Sequence, residues 1–343
     1  MATDVTVRGA GIFGLSCAWA LARRGARVRV VDPGGPGAGA SGGVLGALAP
    51  HVPENWNPKK QFQLDSLLAA EGFWAEIAAA SGLSPGYARQ GRLQPVADAD
   101  AEALARRRAG TAAELWHGAA LWEVVPVSGA DWEPPSPSGL LIRDTLSARL
   151  HPRRAVAALA GALAAQGVEI VTEAPDRGMV LHASGAAGLE ALSQALGKTV
   201  GRGVKGQAAL LGHAAPQAPQ LFVEALHVVP HEDGTTAIGS TDERDATTAE
   251  PDEKLEALIA KARRLVPALA EAPVLERWAG FRPRARSRAP MLGPWPGREG
   301  HYVANGGFKI GFGMAPGVAA VMADLMLDGQ DRIPPGFRVE DNL

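Results

Sequence analysis

The chain of 343 residues contains one cysteine, Cys17, which excludes an intramolecular disulfide framework and any Cys-rich zinc or iron–sulfur site. It also lacks a dominant charge: 34 Lys and Arg stand against 36 Asp and Glu, a net charge of -2. No overall field is therefore available to hold a polyanion by counterion release, so nucleic acid is disfavoured as a general partner while a local patch stays open. No basic stretch leads into an apolar one near the N-terminus, and no uncharged apolar run reaches the roughly 18 residues that span a bilayer. A cytoplasmic protein in a reducing compartment, with no membrane span and no metal, is the expectation. The 42 glycines and 26 prolines form no biased tract and no repeat, and read as turns and close backbone approaches. With 46% hydrophobic and 20% charged residues, the chain suits one large or two ordinary domains with real cores, and a disordered or fibrous protein is excluded.

The densest local signal is at the start. A short strand around Val5 and Val7 runs into Gly9-Ala10-Gly11-Ile12-Phe13-Gly14 and then an apolar helix to about Arg24, stopped by Gly25. A second strand, Arg27 to Val31, ends at Asp32 before the breaker run Pro33-Gly34-Gly35-Pro36-Gly37. This is a βαβ unit carrying G-x-G-x-x-G, in which the glycines allow a tight turn, close approach to a pyrophosphate and close packing of helix on strand. The helix N-terminus supplies the anion site. Asp32, 18 residues after Gly14, stands where an acid accepts from the adenosine ribose hydroxyls; a turn-forming Asp before proline is the alternative. The motif alone does not separate FAD from NAD.

Further along, apolar spacing predicts a helix from about Lys60 to Ala80 with Leu64, Leu67, Leu68, Phe73, Trp74 and Ile77 on its buried side. Residues 87–135 read as short strands with two short helices, closing in the Pro-rich segment Trp132 to Pro137 as a crossing between domains. Then come a strand at Leu140 to Ile142, a helix from about Pro152 to Gln166, strands at Val168 to Val171 and Met179 to His182, and a helix opened by Ser184-Gly185. Residues 200–238 are β-rich with a turn at Glu232-Asp233-Gly234. A helix covers about Asp252 to Val266, and a last helix starts near Pro316. The expected class is α/β, α+β overall: a Rossmann-like dinucleotide domain from residues 1–85, 140–199 and 284–343, and a smaller β-rich substrate domain from 86–139 and 200–283, both discontinuous.

The stretch after Asp32 resembles a known family. Gly39-Ala40-Ser41-Gly42 followed by Gly46-Ala47-Leu48-Ala49-Pro50 is similar to the loop and flavin-side segment of the D-amino-acid oxidase and glycine oxidase flavoenzymes. The resemblance continues through Asp144-Thr145-Leu146-Ser147, Ala183-Ser184-Gly185, Val204-Lys205-Gly206-Gln207, Val229-Pro230, Ile238-Gly239-Ser240-Thr241, Trp278 to Pro283, and Asn305-Gly306-Gly307-Phe308-Lys309-Ile310-Gly311, and covers nearly the whole chain. It implies FAD, held by Gly9 to Gly14, Asp32, Pro33, Ala40, Ser41, Gly46, Ala47, Leu48, Ala183, Ser184, Gly185, Gly280 and Gly306 to Gly311. No cysteine lies in the C-terminal flavin-facing segment, so the cysteine attachment of sarcosine oxidases is excluded and noncovalent FAD is expected. Cys17, one turn past Gly14, reads as structural.

Arg282 matches the family arginine of G-[LF]-R-P that grips the substrate carboxylate, a task suited to a planar guanidinium. The alternative is a solvated basic strand of Arg277, Arg282, Arg284, Arg286 and Arg288. Lys309 stands where the family has arginine, and Gly307 where it has histidine; a cation at 309 stabilises a reduced flavin or a second substrate oxygen. His227 falls at a pocket tyrosine position, or is a satisfied strand histidine. Asp242 either faces a cationic substrate or opens a loop with Glu243 and Arg244, and His51 either lines the cavity or is a loop residue. The expected activity is oxidation of the C–N bond of a small-molecule amino acid or secondary amine of glycine, sarcosine or D-amino-acid type, by hydride transfer to the flavin. Two alternatives stand beside it. Arg286 to Gly293 also resembles the FAD domain of the tRNA wobble-uridine modifying oxidoreductase, and the altered positions 227, 307 and 309 suit a flavin-binding protein without turnover. The Arg106-Arg107-Arg108 run is either a solvated helix face or a tRNA backbone contact.

Overall fold

The structure is a computed structural model that describes residues 3–343. Its first sheet has six strands in the order Met291–Pro294, His301–Asn305, Met179–His182, Asp4–Arg8, Arg27–Val31 and Glu169–Val171. All neighbours are parallel except the outermost pair, Met291–Pro294 against His301–Asn305. The chain leaves Asp4–Arg8 on one side for Arg27–Val31 and returns on the other at Met179–His182. The strand order therefore reverses beside the glycine loop, and a crevice at such a switch point is where open α/β sheets bind ligands.

Helices Ile12–Arg23, Pro152–Ala165 and Gly311–Asp328 pack on this sheet, and Pro58–Ser81 packs on the last two of them. Gln63, Leu64, Ser66, Leu67, Ala70, Trp74 and Ile77 form the buried side of Pro58–Ser81, while Leu68 and Phe73 are half-buried at its edge. The last helix begins at Gly311, five residues before the expected start at Pro316. Proline is tolerated inside it because the next amide, that of Gly317, donates out of the helix to Ser66 Oγ at 3.0 Å. By length and composition this helix is apolar enough to cross a membrane, although Asp324 and Asp328 keep it from being an uncharged apolar run. It is half buried against its neighbours, and its Asp324 and Asp328 both pair with Arg24. Residues 87–135 hold one helix, Ala99–Leu115, where two were expected; Asp98 caps it, its Oδ1 accepting from the Ala101 amide at 2.8 Å.

The second sheet has eight strands in the order Val274–Ala285, Gly201–Leu211, Thr236–Gly239, Leu226–Pro230, Gln220–Val223, Arg92–Pro95, Leu140–Asp144 and Trp122–Pro126. The expected division at residue 140 is displaced by one strand, because Leu140–Asp144 pairs here, between Arg92–Pro95 and Trp122–Pro126. One face buries Leu93, Leu141, Leu221, Val228 and Ile238 under helix Glu253–Leu265, whose Leu255, Ile259, Ala262 and Leu265 complete that core. The other face meets the unit built on the first sheet. Ala208, Leu210, Ala237 and Trp278 pack with Val44 and Leu45, and His231 Nε2 donates to the Val44 carbonyl at 2.8 Å. Gln220 Nε2 donates to the carbonyls of Leu48 and Ala148, the two strands of a small third sheet.

Arg92 and Asp144 form a buried ion pair at 2.9 Å where the eight-stranded sheet turns towards that junction, and the second carboxylate oxygen accepts from the Ser147 amide at 2.7 Å. Removing one partner leaves a buried charge uncompensated, so Asp144→Ala is expected to cost about 3–5 kcal/mol, read as a lowered midpoint in urea unfolding. A change below about 1 kcal/mol would show that the pair adds nothing beyond a surface contact.

Candidate active site

The dinucleotide end is built by close backbone approach. Gly9 has φ of +116°, and a Cβ there would lie 2.4 Å from the Ala183 carbonyl oxygen; one on Gly14 would lie 1.9 Å from the Gly9 carbonyl oxygen. Asp32 ties the loop to the end of the second strand: Oδ2 accepts from the Ala10 amide at 2.7 Å and Oδ1 from the Gly34 amide at 2.9 Å. Beside Pro33, a cavity of about 380 Å³ opens between Arg8, Val31, Thr172 and Glu173. Ala40–Gly42 form a single 3₁₀ turn that brings Ser41 Oγ to the Ile12 amide at 2.9 Å, on the N-terminus of the first helix. Gly46 is left-handed against Leu150, and Ala47–Leu48 pair with Ala148–Arg149.

Ala183 donates its amide, and Ser184 its hydroxyl, to the Arg8 carbonyl, which closes the opposite wall. Gly185 accepts from Asn305 Nδ2 at 2.9 Å, while Asn305 Oδ1 accepts from the Gly306 amide. Asn305 was not singled out in the sequence, although it opens the recognised Asn305 to Gly311 segment. Gly306 to Ile310 then lead into the last helix at Gly311, where a Cβ would lie 3.5 Å from Ile12 Cγ2. The positive ends of two helices thus converge beside the glycine loop. Gly307, where a histidine was expected from the family pattern, faces Phe13: a Cβ at 307 would lie 2.9 Å from the Phe13 ring and 2.9 Å from Gly311 Cα.

Register places the other candidates on the sheet face turned towards this loop. Arg282 pairs with Val204, Gly280 with Gly206, Trp278 with Ala208, Ala208 with Gly239, and Gly239 with His227. Arg282 is 8% exposed. Its Nη1 donates to Ser240 Oγ at 2.7 Å and its Nη2 to the Thr241 carbonyl at 2.5 Å, while Nε is buried and has no partner among the described residues. Burial lowers its pKa, and Asp242 and Glu243 act in the opposite direction. The guanidinium lies along the sheet because position 206 is glycine: a Cβ there would fall 2.3 Å from Arg282 Cζ. Gly206 was read only as part of a resemblance, and the cross-strand contact gives its reason.

Behind this face, Glu243 Oε1 accepts from Gln207 Nε2 at 2.8 Å and from Thr241 Oγ1 at 2.7 Å, and Lys205 pairs with Asp252 at 2.6 Å. This buried network, which the sequence did not reveal, fixes the segment whose Thr241 carbonyl holds Arg282. Phe308, at φ of 44°, lies with its ring 5.3 Å from Arg282 Cζ, and Lys309 Nζ is 5.6 Å from the same ring. Lys309 and Asp242 pair at 3.1 Å and are both partly exposed, so Asp242 belongs to a loop at the rim. His227 packs at a tilt against Phe222, with ring centroids 4.6 Å apart, and its buried Nδ1 has no partner among the described residues. Burial, then the charges of Arg92 and Lys309, push its pKa down to about 3.

The remaining candidates fall elsewhere. His51 is tied to helix Pro58–Ser81 through Gln63, which accepts from both its ring Nδ1 and its amide. Arg277 pairs with Glu256 at 2.6 Å, Arg106 with Glu102, and Arg108 with Glu54, as solvated or half-buried ion pairs. Cys17 is buried and its thiol is pushed up to about 12, which suits a packing role. Among the described residues no group of three metal ligands occurs.

The glycine cradle, the Asp32 carboxylate and the paired helix ends fit a dinucleotide, and the unpartnered Arg282 Nε and His227 Nδ1 face the same side. A strand-loop-helix site of this kind, capped by a second sheet, is that of a dinucleotide-dependent enzyme. A family model of FAD-dependent oxidoreductases, DAO, matches residues 4–325, and the chain belongs to that family. It is 30% identical to a glycine oxidase of Pseudomonas aeruginosa, over 98% of both chains. It is 31% identical, over 98% of its own length and 58% of the other's, to a tRNA 5-methylaminomethyl-2-thiouridine biosynthesis bifunctional protein of Polaromonas naphthalenivorans. Glycine oxidase from Geobacillus kaustophilus has the same fold, with a TM-score of 0.84 at 21% identity over 98% of each chain. FAD is accordingly the cofactor, and the protein is an FAD-dependent oxidoreductase of amines or amino acids.

Two histidines at the sheet junction set an acid limit. His227 and His231 have pKa values pushed down to about 3 and about 4, chiefly by burial. Between pH 6.5 and those values the unfolded chain takes up protons that the native state refuses, so stability is complete above pH 6.5 and falls as pH drops. Urea unfolding at a series of pH values from 7 to 4.5 should lose up to about 1.4 kcal/mol per pH unit for each histidine. His227→Phe should flatten that slope, and an unchanged slope would mean that His227 protonates in the native state.

Proposed function

We propose that the protein oxidises the C–N bond of a small amino acid or secondary amine that carries a carboxylate next to the oxidised carbon. The observation that carries this reading is Arg282, a guanidinium nearly removed from water on the sheet face turned to the dinucleotide loop. A cation in that setting gains far more from a carboxylate than it would in water, and two parallel N–H donors fix the carbon's position as well as the charge. When bound, FAD supplies the acceptor for the hydride that leaves the α-carbon.

The chain's own residues orient the substrate and control its protonation. Arg282 anchors the carboxylate; Gly206 leaves room for its guanidinium, and Gly280 for the Trp278 ring beside it. His227, neutral across the working range, presents an unpartnered ring nitrogen and adds no positive charge against the amine. Among the described residues no buried acid and base are paired on this face, the Lys309–Asp242 pair lying at the exposed rim. The amine accordingly reacts as the free base, its proton lost on desolvation, and the imine product hydrolyses after release. The dinucleotide is held noncovalently by the Gly9 to Gly14 loop, with Asp32 on the ribose hydroxyls.

Arg282→Gln should lower kcat/KM for the best amine substrate by about 10²-fold, mostly through KM, because a charged partner of the carboxylate is lost. Arg282→Lys should recover part of the loss, since it restores charge without the fork. Gly206→Ala, which displaces the guanidinium without removing it, should raise KM in the same direction. Unchanged kinetics in all three variants would exclude Arg282 as the carboxylate anchor.

A further inference from the structure

The strand that carries Arg282 continues through Pro283 to Arg284, and register sets Arg284 directly opposite Arg202. Like charges facing across an antiparallel pair destabilise a sheet. More cations gather there. Arg244, from the loop that follows Thr241, and Arg288, from the turn beyond the strand, are near enough to hold Arg284 below the ordinary guanidinium range together with its own burial. Phe308 marks the distance to the carboxylate anchor: Arg282 Cζ lies 5.3 Å from its ring centroid, Arg284 Cζ 5.7 Å and Lys309 Nζ 5.6 Å.

Several other arginines on this sheet and its flanks are paired, Arg92 with Asp144, Arg153 with Glu276 and Arg277 with Glu256, while Arg143 and Arg286 have no such partner among the described residues. Among the described residues, Arg202, Arg244, Arg284 and Arg288 have no carboxylate within ion-pair distance, and Asp242, which faces Arg284, is paired with Lys309. Four guanidinium groups without a carboxylate partner thus lie on the Arg282 strand, its neighbour and the adjoining loops in a protein of net charge -2.

We propose that Arg202, Arg244, Arg284 and Arg288 form a second anion-binding subsite beside Arg282, so that the preferred substrate is a dicarboxylic amino acid or amine. The inference rests on Arg282 as the anchor of the first carboxylate. Arg282 and Arg284 both reach the same Phe308 ring, a separation on the scale of a small molecule. Asp242, Glu243 and Asp245 flank Arg244 and oppose the extended phosphate backbone of a nucleic acid. The guanidinium groups recognise a carboxylate through the same forked geometry as Arg282.

The test uses FAD-loaded protein and two non-oxidisable probes, propionate and succinate, titrated against the visible flavin spectrum at fixed ionic strength. Succinate should bind at least about tenfold more tightly than propionate, a difference of one well-formed charged contact. That preference should collapse towards one in Arg284→Gln and, separately, in Arg244→Gln, whose exposed loop position leaves the core intact. Equal binding of the two probes, with both weakened in Arg282→Gln, overturns the second subsite and leaves the anchor standing. Failure of both probes to bind, with no change in Arg282→Gln, overturns the anchor and the subsite together. Salt-sensitive binding of an RNA oligonucleotide that is lost in Arg244→Gln, with no preference for succinate, overturns the dicarboxylate in favour of a phosphate backbone.

Discussion

A guanidinium that is 8% exposed must keep its charge in a place where water no longer supports it. Much of the second sheet is arranged around that constraint. Ser240 and Thr241 accept from two of its nitrogens, Gly206 yields the space in which it lies, and Glu243, Gln207, Lys205 and Asp252 lock the Thr241 segment from the opposite face. The third nitrogen, Nε, stays without a partner. A buried donor left unpaired is costly in a resting protein, a cost that the proposed substrate carboxylate would relieve.

The first sheet solves a different problem with backbone alone. Its glycine loop brings strand, helix and the Ala183 turn within distances that no side chain tolerates, and two helix ends meet at Ile12 and Gly311. The result is a site whose donors are fixed main-chain amides, with little to reorganise when a dinucleotide enters. The second sheet docks on this unit through Val44, His231 and Gln220, so the flavin-side loop and the Arg282 face are held to each other by buried contacts.

Local features were legible in the sequence and cross-strand ones were not. The βαβ unit was readable because its glycines, its helix and Asp32 lie within one short stretch and each has a physical reason tied to its neighbours. Arg282 was readable as a candidate from its motif, but its dependence on Gly206 needs the register of two strands distant in the chain. The Arg92–Asp144 pair and the Glu243 network are likewise products of pairing. Pro316 misplaced the start of the last helix because proline normally marks a boundary, and only the Ser66 hydroxyl, from another helix, explains why it does not do so here. Lys309 and Asp242, read separately, prove to be partners.

The most direct measurement is the visible spectrum of the purified, FAD-loaded protein before and after anaerobic addition of glycine, sarcosine, D-alanine, D-aspartate and their L-counterparts. Loss of the yellow oxidised band with one or more of these amines, and not with the corresponding hydroxy acids, is the result that an Arg282-anchored amine oxidoreductase predicts. A yellow protein that none of the amines bleaches, while a carboxylate-free amine does, would contradict it.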